Sequence, residues 1–413
     1  MAFALDRSMT TAPSSVRPAP LAGKRVLDLS RVLAGPWCTM ILADLGAEVI
    51  KVEAPGSGDD TRAWGPPWAA GESAYYLSAN RTKLSIEIDL ACEAGQVAVK
   101  ALAEQSDVIV ENFKLGGLDK YGLDYASLAA INPRLIYCSI SGYGRDGPLA
   151  ALPGYDYVIQ AAGGLMSING GRDAPPVRVG VAVADLFTGM TAAQAVLAAL
   201  LAVERDGVGQ HIDLALHDCQ LAMLANVGSG VLVSGDDAVR WGNQHPTVVP
   251  YQTFDTADGV VVIAVGNDRQ FSTLMNMIGA VTLSTDERFA TNGARVINRD
   301  ALIERLVPEV RKHTTAWWLD ALARAGVPGG PVRSVTEALA APEAQARKMV
   351  RRVAHPTAGH IDLVASPIKL SGTPVTDPVA PPLLGEHSAD VLGRLLGYSA
   401  EEISAAAGAR ARV

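Results

Sequence analysis

Along the first half of the chain, segments with the apolar pattern of a strand alternate with segments that have the apolar spacing of a helix. Short apolar runs predict strands at 25–30, 47–53, 107–112 and 134–141, and alternating apolar and polar residues predict a half-buried strand at 84–90. The segments between them have the 3.6-residue spacing of helices, which predicts helices at 33–46, 95–105 and 123–132. Strands that alternate with helices of this length form βαβ units. We therefore predict an α/β fold with a doubly wound, mostly parallel, Rossmann-like sheet.

The pattern changes in the second half of the chain. Apolar spacing predicts long helices at 186–205 and 217–233, two strands joined by a turn within 249–267, and helices at 268–278 and 299–325. From residue 326 the chain is rich in proline and predicts loops, until a helix within 380–398. The predicted organisation is a flexible N-terminal tail (1–23), a large domain built from 24–225 and 326–413, and a small α/β domain (226–325).

The amino-acid composition limits the classes of molecule that the chain is expected to bind. The 413 residues are 49% hydrophobic and 19% charged, which is typical of a compact soluble enzyme. The net charge is −8 and no basic tract occurs, so nucleic acid is not an expected partner. The most apolar segment, 192–203, is too short to cross a bilayer, and we expect no membrane association.

The N-terminal tail and the cysteines bear on location. Residues 1–23 lack the apolar core of a signal peptide, so we expect a cytoplasmic protein; the mitochondrial matrix is the alternative if the tail is a transit peptide. The four cysteines are far apart and form no CxxC pair, which favours reduced thiols in an intracellular protein. The "HPTAGH" segment at 355–360 lacks metal-site spacing, and we expect no metal.

Familiar catalytic motifs are missing from the predicted loops. The loop after the first strand, "SRVLAGP", contains only Gly35, so it forms neither a GxGxxG nor a P-loop motif and argues against an NAD-dependent enzyme. No GxSxG nucleophile elbow occurs, which argues against a serine hydrolase. Ligands of doubly wound sheets still bind at the carboxyl ends of strands, so the loops at 31–36, 111–117 and 141–147 are the expected ligand-binding region.

Asp185 is an unusual charge in "VRVGVAVADLFTGM" (177–190), just before a predicted apolar helix. One interpretation is a helix N-cap. The other is a nucleophile, because a helix N-terminus would keep the carboxylate ionised at neutral pH. The neighbouring small residues, Gly180, Ala182, Ala184 and Gly189, would let a bulky ligand approach. The chemistry of these residues leaves both interpretations open.

Several segments, taken in this order, resemble class III CoA-transferases, the family of formyl-CoA transferase and carnitine CoA-transferase. They are "LAGKRVLDLSRVLAGPWCTMILADLGAEVIKVEAPGSGDDTR", "NRTKLSIEIDL", "DVIVENF", "SGYGRDGP", "GYDYVIQAAGGLM" and "GVAVADLFTGM". The resemblance covers nearly the whole chain from about residue 21. Three further segments look most like the succinate–hydroxymethylglutarate (glutarate) branch: "GDDTRAWGPPW", "RWGNQHPTVVPYQTF" and "HPTAGHIDLVASP".

The resemblance implies an activity. Asp185 would attack an acyl-CoA, with succinyl-CoA the expected donor, and form first a mixed anhydride and then an aspartyl-CoA thioester. A dicarboxylic acid such as glutarate would then take the CoA; mesaconate, citramalate and carnitine are alternative acceptors. Coenzyme A enters as part of the substrate, and neither a metal nor NAD is expected. The family also implies an interlocked homodimer.

The resemblance also implies binding residues. Those matching the family's CoA contacts are Val32, Leu33, Ala34, Asn112, Phe113, Lys120 and Tyr155. Leu33 departs from the polar residue of the formyl-CoA enzyme, and that enzyme's glycine-run loop is replaced by "WGNQHPTVVPY", so oxalate specificity is not expected. Candidates for the distal carboxylate of a dicarboxylic acid are Arg62, Arg240 and His245, each of which fits a surface salt bridge or a turn contact equally well.

Two other functions fit the same fold. An α-methylacyl-CoA racemase needs a histidine base opposite the aspartate, but Tyr155 occupies that position, and a tyrosine is a poor base at neutral pH. A non-catalytic CoA-binding role is the third possibility, and the presence of Asp185 argues against it.

Overall fold

The computed structural model describes residues 17–408. Within that range the strands, in chain order, are β1 (Arg25–Asp28), β2 (Glu48–Glu53), β3 (Trp68–Ala69), β4 (Glu72–Ser73), β5 (Lys83–Glu87), β6 (Val108–Glu111), β7 (Ile136–Ser141), β8 (Gln210–Ala215), β9 (Tyr251–Asp255), β10 (Val260–Ala264), β11 (Gly329–Pro331), β12 (Val350–His355) and β13 (Gly359–Val364). The α-helices are α1 (Ala34–Asp44), α2 (Ala74–Ala79), α3 (Glu93–Glu104), α4 (Tyr125–Ile131), α5 (Asp156–Ala162), α6 (Leu165–Ile168), α7 (Val183–Asp206), α8 (Leu216–Met223), α9 (Ala225–Ser234), α10 (Asp268–Met277), α11 (Val281–Thr285), α12 (Asn292–Ile297), α13 (Arg299–Val310), α14 (Thr315–Ala325), α15 (Val335–Ala340), α16 (Pro342–Ala346), α17 (Ser388–Leu396) and α18 (Ala400–Ala406). Short 3-10 helices cover Asp60–Ala63 and Asp119–Tyr121.

Six parallel strands form the central sheet, in the spatial order β5–β2–β1–β6–β7–β8. In β1, Val26 lies opposite Val49 of β2 and Val108 of β6. Successive residues of a strand point to opposite faces, so Val26 belongs to one hydrophobic core and Leu27 to another. Helices α1 and α7 cover the first face, and α3, α4 and α17 cover the second. Helices on both faces of a parallel sheet confirm the predicted doubly wound fold.

The predicted strands of the first half correspond to β1, β2, β5, β6 and β7. Strand β8 was not predicted, because it lies at the sheet edge and its half-exposed residues, such as His211 and Asp213, interrupt any apolar run. The prediction of loops after residue 326 was wrong at β11, at α15 and α16, and at 350–364, where β12 and β13 pair as an antiparallel hairpin.

Two predicted long helices are each divided in two. The helix predicted at 217–233 is α8 followed by α9, and the break falls where Ala225 has a φ of +44°, a left-handed value that ends a regular helix. The helix predicted at 299–325 is α13 followed by α14. Helix α14 starts afresh because the Thr314 side chain accepts a hydrogen bond from the Trp317 backbone N–H.

The chain divides into two compact units. The first unit contains the residues up to Ala162, Val181–Met223 and the residues from Gln345 onward. The second unit contains Gly163–Gly180 and Leu224–Ala344, so it is longer than the predicted small domain and takes in a separate earlier segment. Its three-stranded antiparallel sheet, in the order β11–β10–β9, packs in a core with α10, α13 and α14. It is therefore a smaller α/β unit.

Helix α7 is longer than its predicted core. With 24 residues it is long and apolar enough to span a membrane by length and composition, unlike the 12-residue stretch considered alone. Its buried residues nevertheless fall on one face at helical spacing, for example Ala192, Val196, Ala199 and Val203, and they belong to the core beneath the sheet. This arrangement is that of the core helix of a globular unit.

The predicted N-terminal tail lies mostly outside the described residues. Of its described part, Leu21 is buried in the core and donates a backbone hydrogen bond to the carbonyl of Leu45. The ordered first unit thus begins before Gly23. All four cysteines lie in the described range and are free thiols.

Candidate active site

The strand order reverses between β1 and β6, and a pocket lies at the carboxyl ends of the strands at this point. Its cavity volume is about 170 Å³. The lining residues come from the loops after β1, β6 and β7 and from the start of α7: 31–34, 112–115, 140–142, 150–155, Asp60, Asp185 and Leu216. This is where open α/β sheets bind ligands, because two neighbouring loops turn away from each other there and leave a crevice.

Close packing of α7 on α1 brings Asp185 to the pocket. A Cβ atom added to Gly189 would lie 2.5 Å from the carbonyl oxygen of Ala34 and 3.0 Å from the Cβ of Trp37. Only glycine permits this approach, which places the second turn of α7 against the first turn of α1. The expectation that Gly189 makes room for a ligand was therefore wrong; it makes room for a helix.

Asp185 does not cap its own helix, so the N-cap interpretation was wrong. Helix α7 starts at Val183 with Ala182 as the N-cap residue, which puts Asp185 in the first turn. The capping carboxylate is that of Asp156, whose Oδ1 accepts a hydrogen bond of 2.8 Å from the Ala184 backbone N–H. The other oxygen of Asp156 accepts from the Gln160 side chain at 2.7 Å. Asp156 thus takes the structural task and leaves the Asp185 oxygens free.

The electrostatic setting of Asp185 is unusual for a carboxylate. Its side chain lines the pocket although the residue is only 9% exposed, and no group among residues 17–408 donates a hydrogen bond to it. Burial raises the pKa of Asp185 from 3.8 to about 7, and the nearby Asp156 carboxylate adds to the rise. Burial therefore outweighs the stabilisation that the helix N-terminus was expected to give to the ionised carboxylate. A desolvated carboxylate with this pKa is a more basic nucleophile than an ordinary aspartate.

Most of the predicted CoA contacts lie together in this pocket. Val32, Leu33, Ala34, Asn112, Phe113 and Tyr155 line it with Asp185. Lys120 does not line it. That side chain is on a short 3-10 helix, with its ammonium 4.6 Å from the ring centroid of Tyr121.

The predicted ligands for a distal carboxylate lie elsewhere. The Arg62 guanidinium pairs with Glu53 at 2.8 Å and Glu72 at 2.9 Å and lies over the ring of Tyr76, so it is a nearly buried structural cation without a free side. Arg240 and His245 belong to the second unit. Arg240 donates to the carbonyls of Ser167 and Gly171, and the His245 Nδ1 accepts from the Thr247 backbone N–H.

A family comparison agrees with this geometry. The model of CoA-transferase family III matches residues 21–388. The chain belongs to CoA-transferase family III. A succinate–glutarate CoA-transferase of Agrobacterium fabrum is 48% identical over 393 residues, covering 94% of this chain and 98% of that protein. A human succinyl-CoA:glutarate CoA-transferase is 42% identical, covering 92% of this chain and 86% of that protein. A solved structure of a CAIB/BAIF family protein from Brucella suis is 46% identical, with a TM-score of 0.82, covering 92% of this chain and all of that chain.

CoA thioesters are the substrates of this family, and a second cavity of this CoA-transferase adjoins the first. The second cavity, of about 250 Å³, lies beside the first and has Arg31 and Phe113 in common with it. Arg31 is half-exposed, pairs with Asp60 at 3.1 Å and lies over the Phe113 ring. No cluster of three or more His, Cys, Asp or Glu suited to a metal occurs within 17–408; that the CoA-transferase reaction needs neither metal nor NAD stays a prediction.

Sequence reasoning missed two residues whose charge or hydroxyl group bears on Asp185. Asp156 follows the predicted contact Tyr155 and is the first residue of α5, but its hydrogen bond with Ala184 spans 28 residues, which no local pattern indicates. Tyr75 is the other. Burial and the Asp185 carboxylate, with smaller effects of Asp156 and Asp59, raise the pKa of Tyr75 to about 12. Tyr75 thus stays a protonated hydrogen-bond donor near the pocket.

Proposed function

We propose that the chain transfers CoA from succinyl-CoA to glutarate. One observation carries the chemistry: a nine-tenths buried carboxylate, Asp185, lines an open pocket at the switch point of the sheet without a hydrogen-bond partner among residues 17–408. The substrate pair is supported by the relatives that are 48% and 42% identical, which are named for succinate or succinyl-CoA and for glutarate.

The reaction proceeds by exchange of acyl groups on Asp185. The Asp185 carboxylate attacks the thioester carbonyl of succinyl-CoA, expels CoA thiolate and forms a mixed anhydride. The thiolate attacks the aspartyl carbonyl and expels succinate, which leaves an aspartyl-CoA thioester. Glutarate attacks this thioester and expels CoA thiolate again, and the thiolate then attacks the glutaryl carbonyl of the new anhydride. Glutaryl-CoA leaves and the Asp185 carboxylate is restored.

Backbone groups at the start of α1 stabilise the oxyanions of these steps. Leu33, the N-cap residue of α1, provides no side-chain cap, and both Leu33 and Ala34 line the pocket with Asp185. The first-turn N–H groups of a helix have no partner within the helix and favour negative charge. They are therefore suited to the oxygen that gains charge when a tetrahedral intermediate forms.

The two neighbouring cavities hold different parts of the acyl-CoA. The cavity beside Asp185 is smaller than the 300–1,000 Å³ typical of a site that encloses a drug-sized ligand, so it holds only the reacting thioester end. The nucleotide end of CoA takes the second cavity, which Arg31 and Phe113 connect to the first. Arg240 and His245 remain the candidates for the distal carboxylate, and Arg62 is no longer one.

We also propose that the chain forms a homodimer. Helix α9 is apolar but has no buried residue, and Leu232 and Val233 are 89% and 88% exposed. An apolar surface of this kind is typical of a protein–protein contact. Light scattering should therefore give twice the chain mass of 43.1 kDa, and replacing both Leu232 and Val233 with Glu should reduce the mass toward that of one chain. A wild-type chain that is monomeric contradicts the proposal.

The activity is tested with succinyl-CoA and a panel of C4–C6 diacids. Wild-type protein should transfer CoA to glutarate and, without an acceptor, gain a mass adduct on Asp185. Asp185→Asn should lose turnover by at least about 10³-fold, whereas Asp390→Asn, which changes an exposed carboxylate, should not. Full activity of Asp185→Asn would refute the mechanism. Transfer to no diacid, with deuterium wash-in at the α-carbon of a 2-methylacyl-CoA, would favour the racemase instead.

A further inference from the structure

The turn between β1 and α1 contains a backbone conformation that its sequence disfavours. Val32 has a φ of +70°, in the left-handed region. A β-branched residue is rarely found there, because its Cβ crowds the neighbouring carbonyl. Two residues farther on, the same turn becomes the first residues of α1. Some interaction outside the turn must therefore hold Val32 in this conformation.

Asn112, in the loop after β6, forms hydrogen bonds with one side of the turn. Its Oδ1 accepts a hydrogen bond of 2.8 Å from the Arg31 backbone N–H, and its Nδ2 donates one of 2.7 Å to the Arg31 carbonyl. The carboxamide thus pairs with both backbone groups of one residue, as a neighbouring strand would. Each end of the Asn112 side chain makes one hydrogen bond to the turn, so the carboxamide cannot rotate toward a ligand without losing both.

The loop after β2 holds the turn from the other side. The Asp59 Oδ1 accepts a hydrogen bond of 3.2 Å from the Val32 backbone N–H. Asp59 is itself fixed by an ion pair of 2.9 Å with Lys51, and neither side chain has any exposed surface. Lys51 also donates to the Ser30 carbonyl at 2.9 Å. The turn is therefore fixed at three consecutive residues by side chains from strand β2, from the loop after it and from the loop after β6.

The held turn determines where α1 begins. A Cβ added to Gly35 would lie 2.3 Å from the Cβ of Ser30, so the chain folds back tightly over Ser30 as it enters the helix. Leu33 and Ala34 then line the pocket that also contains the unpartnered Asp185 side chain. If Val32 relaxed to a negative φ, the start of α1 would move relative to Asp185.

We propose that Asn112 is a positioning residue: its carboxamide holds the Arg31–Val32 turn so that the start of α1 faces the Asp185 carboxylate. This inference rests on the proposed CoA transfer and deepens it. Asn112 acts through the backbone of the turn and does not bind CoA with its side chain. The prediction that Asn112 contacts CoA is replaced by this indirect role.

The test is a set of four variants: Asn112→Ala, Val32→Gly, and the double variants that combine Asn112→Ala with Val32→Gly or with Val32→Ala. The readouts are the single-turnover rate of CoA-adduct formation on Asp185 with succinyl-CoA, and Tm without substrate. Asn112→Ala should slow adduct formation about 5- to 30-fold, the factor that corresponds to releasing one residue from the left-handed region. Val32→Gly alone is the reference for the double variants, because glycine adopts a φ of +70° freely and this variant also removes a side chain that lines the pocket.

The double variants decide between positioning and direct contact. Val32→Gly should restore most of the rate and raise the Tm of the Asn112→Ala protein, whereas Val32→Ala should restore less, because alanine keeps the Cβ that opposes a positive φ. An Asn112→Ala protein that reacts at the wild-type rate overturns the proposal. So does a glycine double variant as slow as Asn112→Ala in a background where wild type forms the adduct. Absence of any adduct on wild type instead refutes the proposed function, and the positioning role with it.

Discussion

Replacing Asp156 with Asn should move the pH dependence of the reaction. The change removes a negative charge near Asp185 but keeps the Oδ1 atom that accepts from the Ala184 N–H. The Asp185 carboxylate is the reactive form, so the rate falls as pH decreases through its pKa of about 7. Without the neighbouring charge this pKa decreases, and activity should persist to lower pH.

The size of the change follows from the causes of the raised pKa. The rise from 3.8 to about 7 has two causes, of which burial is the larger and the Asp156 carboxylate the smaller. Asp156 therefore accounts for less than half of the rise. We expect the acid limb of kcat/KM to move down by about one pH unit, or about 1.4 kcal/mol.

The assay is kcat/KM for succinyl-CoA between pH 5 and 9, with adduct formation on Asp185 as a second readout. Gln160→Ala is the control, since it removes a hydrogen bond to Asp156 and keeps the charge, and it should not lower the midpoint. Asp156→Ala loses the cap as well and should lower stability by about 1 kcal/mol. An Asp156→Asn profile with an unmoved or raised acid limb would refute the electrostatic account.

Three further predictions concern packing and stability. Gly189→Ala should destabilise the fold by about 1–3 kcal/mol and lower kcat, because the new Cβ would collide with the Ala34 carbonyl. Gly293→Ala, in helix α12 where space is open, is the matched control in denaturant unfolding and turnover. Because the pKa of Asp185 is raised in the folded protein, ionisation of this group opposes folding. Its contribution to the free energy of unfolding should be largest below pH 4, and up to about 4 kcal/mol should be lost as pH rises through 7. Urea unfolding at pH 5 and pH 8 should show a smaller loss of stability in Asp185→Asn than in wild type. Arg62→Gln should lower Tm by leaving buried glutamates unpaired without changing KM for glutarate, and a selective rise of that KM would restore Arg62 as a substrate ligand.

The sequence predicts the sheet well because buried parallel strands are continuous apolar runs. Strands β1, β2 and β6 are of this kind, and their burial needs no information from distant residues. Strand β8 was not predicted because its position at the edge of the sheet allows polar residues, which interrupt the apolar run. The division between α8 and α9 was not predicted because nothing in the local sequence indicates that an alanine adopts a φ of +44°. Local patterns thus predict elements whose burial is uniform and miss those shaped by edges or single strained residues.

The residues of the site were predicted from the family resemblance, but the hydrogen bonds that organise them were not. The family pattern placed Leu33, Phe113 and Tyr155 near Asp185, and the structure brings these residues to one pocket. The bonds that organise the pocket join residues far apart in the chain, such as Arg31 to Asn112 across 81 positions. No spacing rule detects a bond of this length. Side-chain roles in the site therefore had to be read from the fold.

One helix N-terminus and two carboxylates account for the reactivity of Asp185. If Asp185 capped α7 itself, an oxygen would be bound to a backbone N–H, and that bond would lower both its pKa and its basicity as a nucleophile. Asp156 takes the cap instead, which satisfies the Ala184 N–H and at the same time adds a repelling charge. The same contact that stabilises the helix thus keeps the neighbouring carboxylate basic, unpartnered and directed into the pocket. Asp156 therefore couples stability to reactivity, and the Asn and Ala variants separate the two because only Asn keeps the cap.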